Sequence, residues 1–297
     1  MAFLASYIMQ GRLQAMLVAS TFALLSLKFP PISVLSSAAV ALVTLRRGAT
    51  EGFYVLISSA AAAGLLGFFV IGNYQFVLLY GMVLWLPVWL ISIVLREGRH
   101  LSLAVEIAVL LGVIGVVVYY QYNDDPSSMW KGVLLQMVSG NAPVENVPRT
   151  VDGLAHYMTG VVAAGSVFGL LFGLFLGRWW QSLLYNPGGF KQEFLALNTH
   201  PRLALGCIAV IVLAAASSGV VSEIAWNVTI LLFVLYIFIG TAVMHTVFSG
   251  MKMGRYLVPM FYITLFLLPH ALLPVALVGL SDAWLNIRKK HTNQTSA

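Results

Sequence analysis

The chain has 297 residues, of which 60% are hydrophobic and only 9% charged. A water-soluble domain carries roughly 25% charged residues, so lipid is the expected solvent and a soluble enzyme or carrier is excluded. The net charge of +6 comes from basic residues spread over the ends of apolar runs. That spread points to the lipid bilayer as partner and excludes nucleic acid.

Apolar runs, compared with the ~20 residues that span a hydrocarbon layer, predict an all-α, polytopic membrane bundle of about 8–10 segments in a single transmembrane domain, 1–297. The spans are expected at about 13–27, 32–45, 52–71, 76–95, 101–120, 154–177, 203–221, 225–250 and 256–280. The first two are short and separated by Pro30-Pro31, with residues 2–9 extending the first. No small-x-small cleavage site follows the first run, which therefore reads as a retained segment. The last stretch contains Pro269 and Pro274 and is too long for one span, so a break or re-entrant hairpin is expected there.

Basic residues cluster after alternate runs: Arg46 and Arg47, Arg96 and Arg99, Arg178, Lys191 and Arg202, then Lys252 and Arg255. By the positive-inside rule these loops and the N-terminus with Arg12 are expected in the cytoplasm. The intervening loops are poor in cations, and the longest, 121–153, is expected outside. A hairpin at the final prolines would return the basic tail to the cytoplasm.

One segment draws attention in chain order. Gly165, Gly169, Gly173 and Gly177 recur every fourth residue and predict a groove for close helix approach. Ala15, Ala19 and Ala23 on the first run have the same spacing and are the expected partner face, inside the chain or on another protein. Arg178, Trp179 and Trp180 then mark the edge of the bilayer, with indoles at headgroup level and Arg178 meeting lipid phosphates. Asn186, Pro187, Gly188 and Gly189 force a turn, after which Phe190 opens a short amphipathic helix on the cytoplasmic surface, within an interfacial segment 178–202.

Polar and aromatic groups gather at the opposite end of the runs. Tyr120, Asp124, Asp125, Asp152, His156, Glu223, Trp226 and Asn227 are the candidate ligand-binding cluster, suited to a cationic or polyhydroxy solute. Trp130 lies in a short helix of the same loop. Asp152 with His156, and Glu223 with Asn227, stand one helical turn apart, so a simple pair within each turn is also open. The ligand itself is not specified by these residues.

Other chemistry finds no motif. There is no phosphate-cradling Gly-rich loop ending in Gly-Lys-Ser/Thr, no Gly-x-Ser-x-Gly elbow and no His pair at ligand spacing. The single cysteine, Cys207, allows neither an internal disulfide nor a thiolate metal cluster. The expectation is a protein that is not an enzyme, with no catalytic residues, metal or cofactor.

The run Gly177-Arg178-Trp179-Trp180-Gln181, then Tyr185-Asn186-Pro187-Gly188-Gly189-Phe190 and Glu193-Phe194, resembles the proteobacterial branch of the YybS-like family. So does the ending Gly279-Leu280-Ser281-Asp282-Ala283-Trp284-Leu285. The likeness covers essentially the whole chain. The family comprises bacterial multi-pass membrane proteins of unknown function, distantly similar to the S components of energy-coupling-factor transporters and grouped near a rod-shape scaffold protein. The resemblance implies the bacterial inner membrane and either of two roles. One is a small-solute binding or transport component, with Ala15, Ala19 and Ala23 matching the alanine pattern that contacts a coupling subunit. The alternative is a membrane scaffold for cell-envelope machinery. About nine runs, against the usual six of S components, is a departure from that pattern.

Overall fold

The computed structural model describes residues 2–72, 75–138 and 147–288. Among them every regular element is helical. Five helices are long and apolar enough to cross a membrane, and a sixth crossing results if one sharply bent pair counts as a single span. Large apolar side chains such as Ile57, Phe69, Leu110, Ile114 and Phe266 face outward. In water such surface would drive aggregation, whereas lipid solvates it. The protein is an integral membrane helix bundle.

The chain divides into two compact units, the first comprising residues 1–108 and 166–196, the second 109–165 and 197–297. The division falls inside two long helices, α7 (Leu101–Tyr122) and α10 (Met158–Tyr185).

The first unit begins with α1 (Ala2–Gln10) and α2 (Arg12–Ser26). They are separate helices, because Gly11 between them is fully extended, so residues 2–9 do not prolong the first run. A single 3₁₀ turn at Pro30–Ile32 reverses the chain into α3 (Ser33–Arg47). With 15 residues each, α2 and α3 are about 22 Å long, shorter than the hydrocarbon layer. α4 (Ala49–Ile71) follows. Next, α5 (Gln75–Tyr80) continues through a π turn at Gly81–Trp85 into α6 (Leu86–Gly98). The π turn has a local cause: Pro87 has no N–H to return to Val83, and the wider turn absorbs the missing bond. The C-terminal part of α10 and α11 (Gly189–Leu195) complete the unit.

α3 is its centre. Ten consecutive residues, Ser36 to Leu45, are buried, so this helix is enclosed on every side. Its small residues permit close neighbours. Ser36 Oγ donates to the Ala19 carbonyl of α2 at 2.6 Å and accepts from Trp85 Nε1 at 3.0 Å. The α10 glycines meet α3 rather than α2. A Cβ on Gly173 would lie 2.1 Å from Ser37 Oγ, and one on Gly177 2.7 Å from Ala41 Cβ. Gly169 has only an ordinary contact with Leu84, and Gly165 faces open space. The expected four-glycine seam is thus a two-glycine crossing. Ala15, Ala19 and Ala23 are fully buried. They belong to the packing of α2 inside this unit and offer no exposed face to a partner, which corrects the expectation that they meet the glycine run or a coupling subunit.

The second unit holds the end of α7, α8 (Pro126–Val138), α9 (Val147–Ala155), the start of α10, α12 (Pro201–Ala216), α13 (Gly219–Ser249), α14 (Gly254–Leu267) and α15 (Leu272–Leu285). α13 is its centre: 61% of its most apolar stretch is buried, against 33% for α7. The chain bends by 114° between α14 and α15, at a 3₁₀ turn over Pro269–Ala271. Leu268 precedes a proline and is driven out of the helical region, which ends α14 there. α15 returns along α13 at backbone contact distance. A Cβ on Gly240 would stand 1.9 Å from the Val275 carbonyl oxygen, and one on Gly279 2.2 Å from that of Tyr236. Beyond this crossing, buried Asp282 accepts from Arg288 and from the Ile287 amide and fixes the end of α15.

Candidate functional site

The polar cluster expected from the sequence forms in part, within the second unit. Glu223 and Asn227 project from one face of α13, as their four-residue spacing requires. Tyr120 reaches them from the last turn of α7. His156 sits in the two-residue turn that joins α9 to α10. Glu223 Oε1 accepts the Tyr120 hydroxyl at 2.6 Å, and Oε2 pairs with His156 Nδ1 at 2.9 Å. The Glu223 side chain is 15% exposed and that of His156 51% exposed. The imidazole is therefore the open edge of the cluster.

Asn227 is fully buried and has a backbone role. In a continuous helix the Gly160 amide would bond the carbonyl four residues back, that of His156. Here the Asn227 amide stands between them: Oδ1 accepts the Gly160 N–H, and Nδ2 donates to the His156 carbonyl at 2.7 Å. Nδ2 also lies 3.1 Å from the Tyr120 hydroxyl and 2.8 Å from the Glu223 carbonyl. One side-chain amide thus satisfies the start of α10 and holds His156 outside the helix. Gly160 is required for this, because a Cβ would lie 2.8 Å from Asn227 Oδ1. The sequence reading missed Gly160. It lies five residues before Gly165, outside the four-residue repeat, and nothing local marks its distant partner.

The remaining candidates lie around this group with separate tasks. Trp226 packs edge-on against Tyr157, with ring centroids 6.4 Å apart. Asp152 pairs with Lys131 at 2.6 Å, so it does not bond His156 one turn away. That pair ties α9 to α8, and the Lys131 ammonium holds the Asp152 carboxyl below the usual carboxylate range. Asp125 caps α8: its Oδ1 accepts from Ser127 Oγ at 2.8 Å and from the Ser128 amide at 3.1 Å, with Pro126 at the first helical position. These donors hold its carboxyl low as well. Asp124 is exposed and stands outside the network. Trp130 on α8 donates to Thr159 Oγ1 at 2.9 Å and fastens α8 to the first turn of α10. Part of the outer stretch 121–153, residues 139–146, lies outside the described residues.

The interfacial residues of the first unit need two corrections. Arg178 is not extended toward lipid phosphates. Its Nε donates to Glu193 Oε2 at 2.9 Å and its Nη2 to Oε1, a bidentate pair with Arg178 only 11% exposed. Trp180 is fully buried, so of the two indoles only Trp179 has the exposure expected at headgroup level. Asn186, Pro187 and Gly188 do form the exposed turn, with Gly188 at φ +86°. Gly189 is buried against the Asn186 side chain. Ser182 Oγ accepts the Phe190 amide at 3.2 Å. Phe190 and Phe194 then pack on Phe175 of α10, with centroids 5.9 and 5.8 Å away. α11 is an amphipathic helix folded back on its own unit by an aromatic triad and one ion pair.

Among the described residues no three His, Cys, Asp or Glu side chains gather as a metal site. No family model, curated protein or solved structure matches the chain. Chemically, the cluster offers a carboxylate and an imidazole at the edge of an apolar bundle, with an aromatic wall from Tyr157 and Trp226. Such a group can hold a cation, a hydroxyl-bearing solute or a proton.

Proposed function

We propose that the protein is a multi-pass component of a bacterial inner membrane that binds a small cationic or polyhydroxy solute. In this reading Glu223 and His156 make the polar contacts, Tyr120 orients Glu223, and Asn227 with Gly160 holds His156 in place. One observation carries the reading. A carboxylate is kept in a membrane helix, where an ionisable group is costly and is retained for a task, and it is joined to a half-exposed imidazole. The resemblance to the YybS-like family, with its distant similarity to solute-binding S components, supports the same role. The basic ends of the runs favour placing the arginine-rich loops in the cytoplasm. The buried alanines give the solute reading no coupling-subunit face, so within the structure it rests on the polar cluster alone. The scaffold alternative rested on the glycine run as a docking face and on the family's grouping near a rod-shape scaffold protein; two of those glycines hold α3 instead.

The test is the thermal stability of the purified chain across a panel of amines, sugars, polyols and vitamins, joined with mass spectrometry of small molecules carried through purification from native membranes. A true ligand at about 100 times its Kd stabilises by about 2.7 kcal/mol, a shift of several degrees. Glu223→Gln keeps the Tyr120 bond and should lose the shift. A panel without any stabiliser, together with a protein that carries no small molecule, overturns the proposal.

A further inference from the structure

A second cluster lies in the first unit and does not depend on the solute reading. The ends of α3 and α6 and the C-terminal part of α10 enclose a cleft of about 230 Å³ lined by Leu45, Leu95, Arg96, Arg99, Arg178, Gln181 and Glu193. Its lining holds three guanidinium groups and one carboxylate, and the Glu97 carboxylate stands 3.6 Å from Arg96, so basic groups outnumber acidic ones by one.

The three arginines are not equivalent. Arg178 is committed to Glu193 through both its bonds. Arg96 donates Nη1 to the Leu45 carbonyl at 2.9 Å, beside Gln181 Nε2 at 3.2 Å, and its Nε stands 3.6 Å from Glu97. These contacts seal the last carbonyls of α3 and position the guanidinium. Arg99 differs. It closes α6 in the left-handed region at φ +55°, which turns the chain away from the helix axis. Its amide donates to the Leu95 carbonyl at 3.0 Å, but among the described residues its guanidinium makes no hydrogen bond or ion pair, and it lines the cleft. The cleft thus presents two engaged guanidinium groups and one unengaged fork. Planar guanidinium forks match the oxygens of a phosphate group in pairs.

We propose that this cleft binds a phosphate group, held by Arg99 and Arg96, beside the neutral Arg178–Glu193 pair that walls it. Two sources carry that chemistry: the headgroup of an anionic phospholipid, or a soluble phosphate.

The experiment uses the full chain purified in neutral detergent. One arm adds phosphatidylglycerol, with phosphatidylcholine as control, and counts bound lipid by native mass spectrometry. The other adds inorganic phosphate and reads thermal stability. Retention of phosphatidylglycerol without a phosphate effect assigns the lipid source, and the reverse assigns the soluble one. Arg99→Gln is expected to weaken the active probe about tenfold, the scale of one charge-assisted hydrogen bond. Lys191→Gln removes the same charge from exposed α11, outside the cleft lining, and should change binding less than about twofold. Arg99→Lys keeps the charge without the fork and should fall between them. Binding of neither probe overturns the proposal. So do equal losses in Arg99→Gln and Lys191→Gln, which would mean diffuse electrostatics.

Discussion

Each unit contains a helix crossing closed by two glycines, and these two crossings differ in what the glycines touch. In the first unit the tightest approaches of Gly173 and Gly177 on α10 are to side chains of α3, Ser37 Oγ and Ala41 Cβ, although a Cβ on Gly177 would also stand 3.0 Å from the Ala38 carbonyl oxygen. In the second, Gly240 on α13 and Gly279 on α15 press against the Val275 and Tyr236 carbonyl oxygens. A side chain can rotate or be shortened to make room, whereas a backbone carbonyl inside a helix cannot move alone. The spacing in sequence runs the opposite way. The conspicuous glycine repeat serves the more forgiving crossing, and the stricter one is made by two glycines 39 positions apart.

The largest expected effect follows from that difference. Gly279→Ala and Gly240→Ala should each cost about 3 kcal/mol or more, above the ordinary range for overpacking, and no shortened side chain opposite should recover it. Thermal unfolding of the purified variants measures this. A loss below about 1 kcal/mol in both would remove the distinction between the crossings.

Gly177→Ala should cost less, about 1–3 kcal/mol, and Ala41→Gly in the same chain should restore part of it. A double-mutant cycle sharpens the comparison directly: coupling between positions 177 and 41 is expected, and its absence would place the strain elsewhere. Gly165→Ala is the internal control. Its Cβ would enter open space, so no loss is expected, only a gain of up to about 1 kcal/mol from helix propensity.

Arg178→Ala probes how the first unit is closed beside its crossing. It leaves Glu193, itself part-buried, without its partner, and about 1–3 kcal/mol is expected. Because the pair fixes α11, faster amide exchange over residues 189–195 should accompany the loss. Unchanged exchange there would show that Phe190 and Phe194 hold α11 alone.

The smallest effect is one of pH and is confined to the second unit. Asp125 and Asp152 are both held below the ordinary carboxylate range, by the Ser127 and Ser128 donors and by Lys131. A depressed carboxyl stabilises the fold above its unfolded pKa of about 4 and loses that contribution as pH falls through the lower folded value. Protection of α8 and α9 should therefore be flat from pH 7 to about 5 and decline only below about 4. Amide exchange against pH measures it, and a decline beginning above pH 5 would assign it to another group.

Several features were legible in the sequence because they rest on solvent or on local backbone chemistry. Charge depletion and apolar run length specified a helical membrane bundle, since lipid solvates neither charges nor bare peptide groups. The turn at Pro187-Gly188 and the break at Pro269 followed from φ restriction and a missing N–H, properties of single residues. The meeting of Tyr120, His156, Glu223 and Asn227 was partly legible too, because polar groups at the same end of apolar runs have few other places to go.

What only the tertiary structure decided is the partner of each group. Periodicity shows that a residue lies on a face, not which helix covers that face. Thus the alanine stripe became interior packing of α2, the glycine run found α3, and Arg178 found Glu193 rather than lipid. Gly160 and Asn227 are 67 positions apart and complete each other through one amide. The physical reason is common to all of these. A hydrogen bond or a close contact acts within a few ångströms, and in a bundle those distances are set by helices that are remote along the chain.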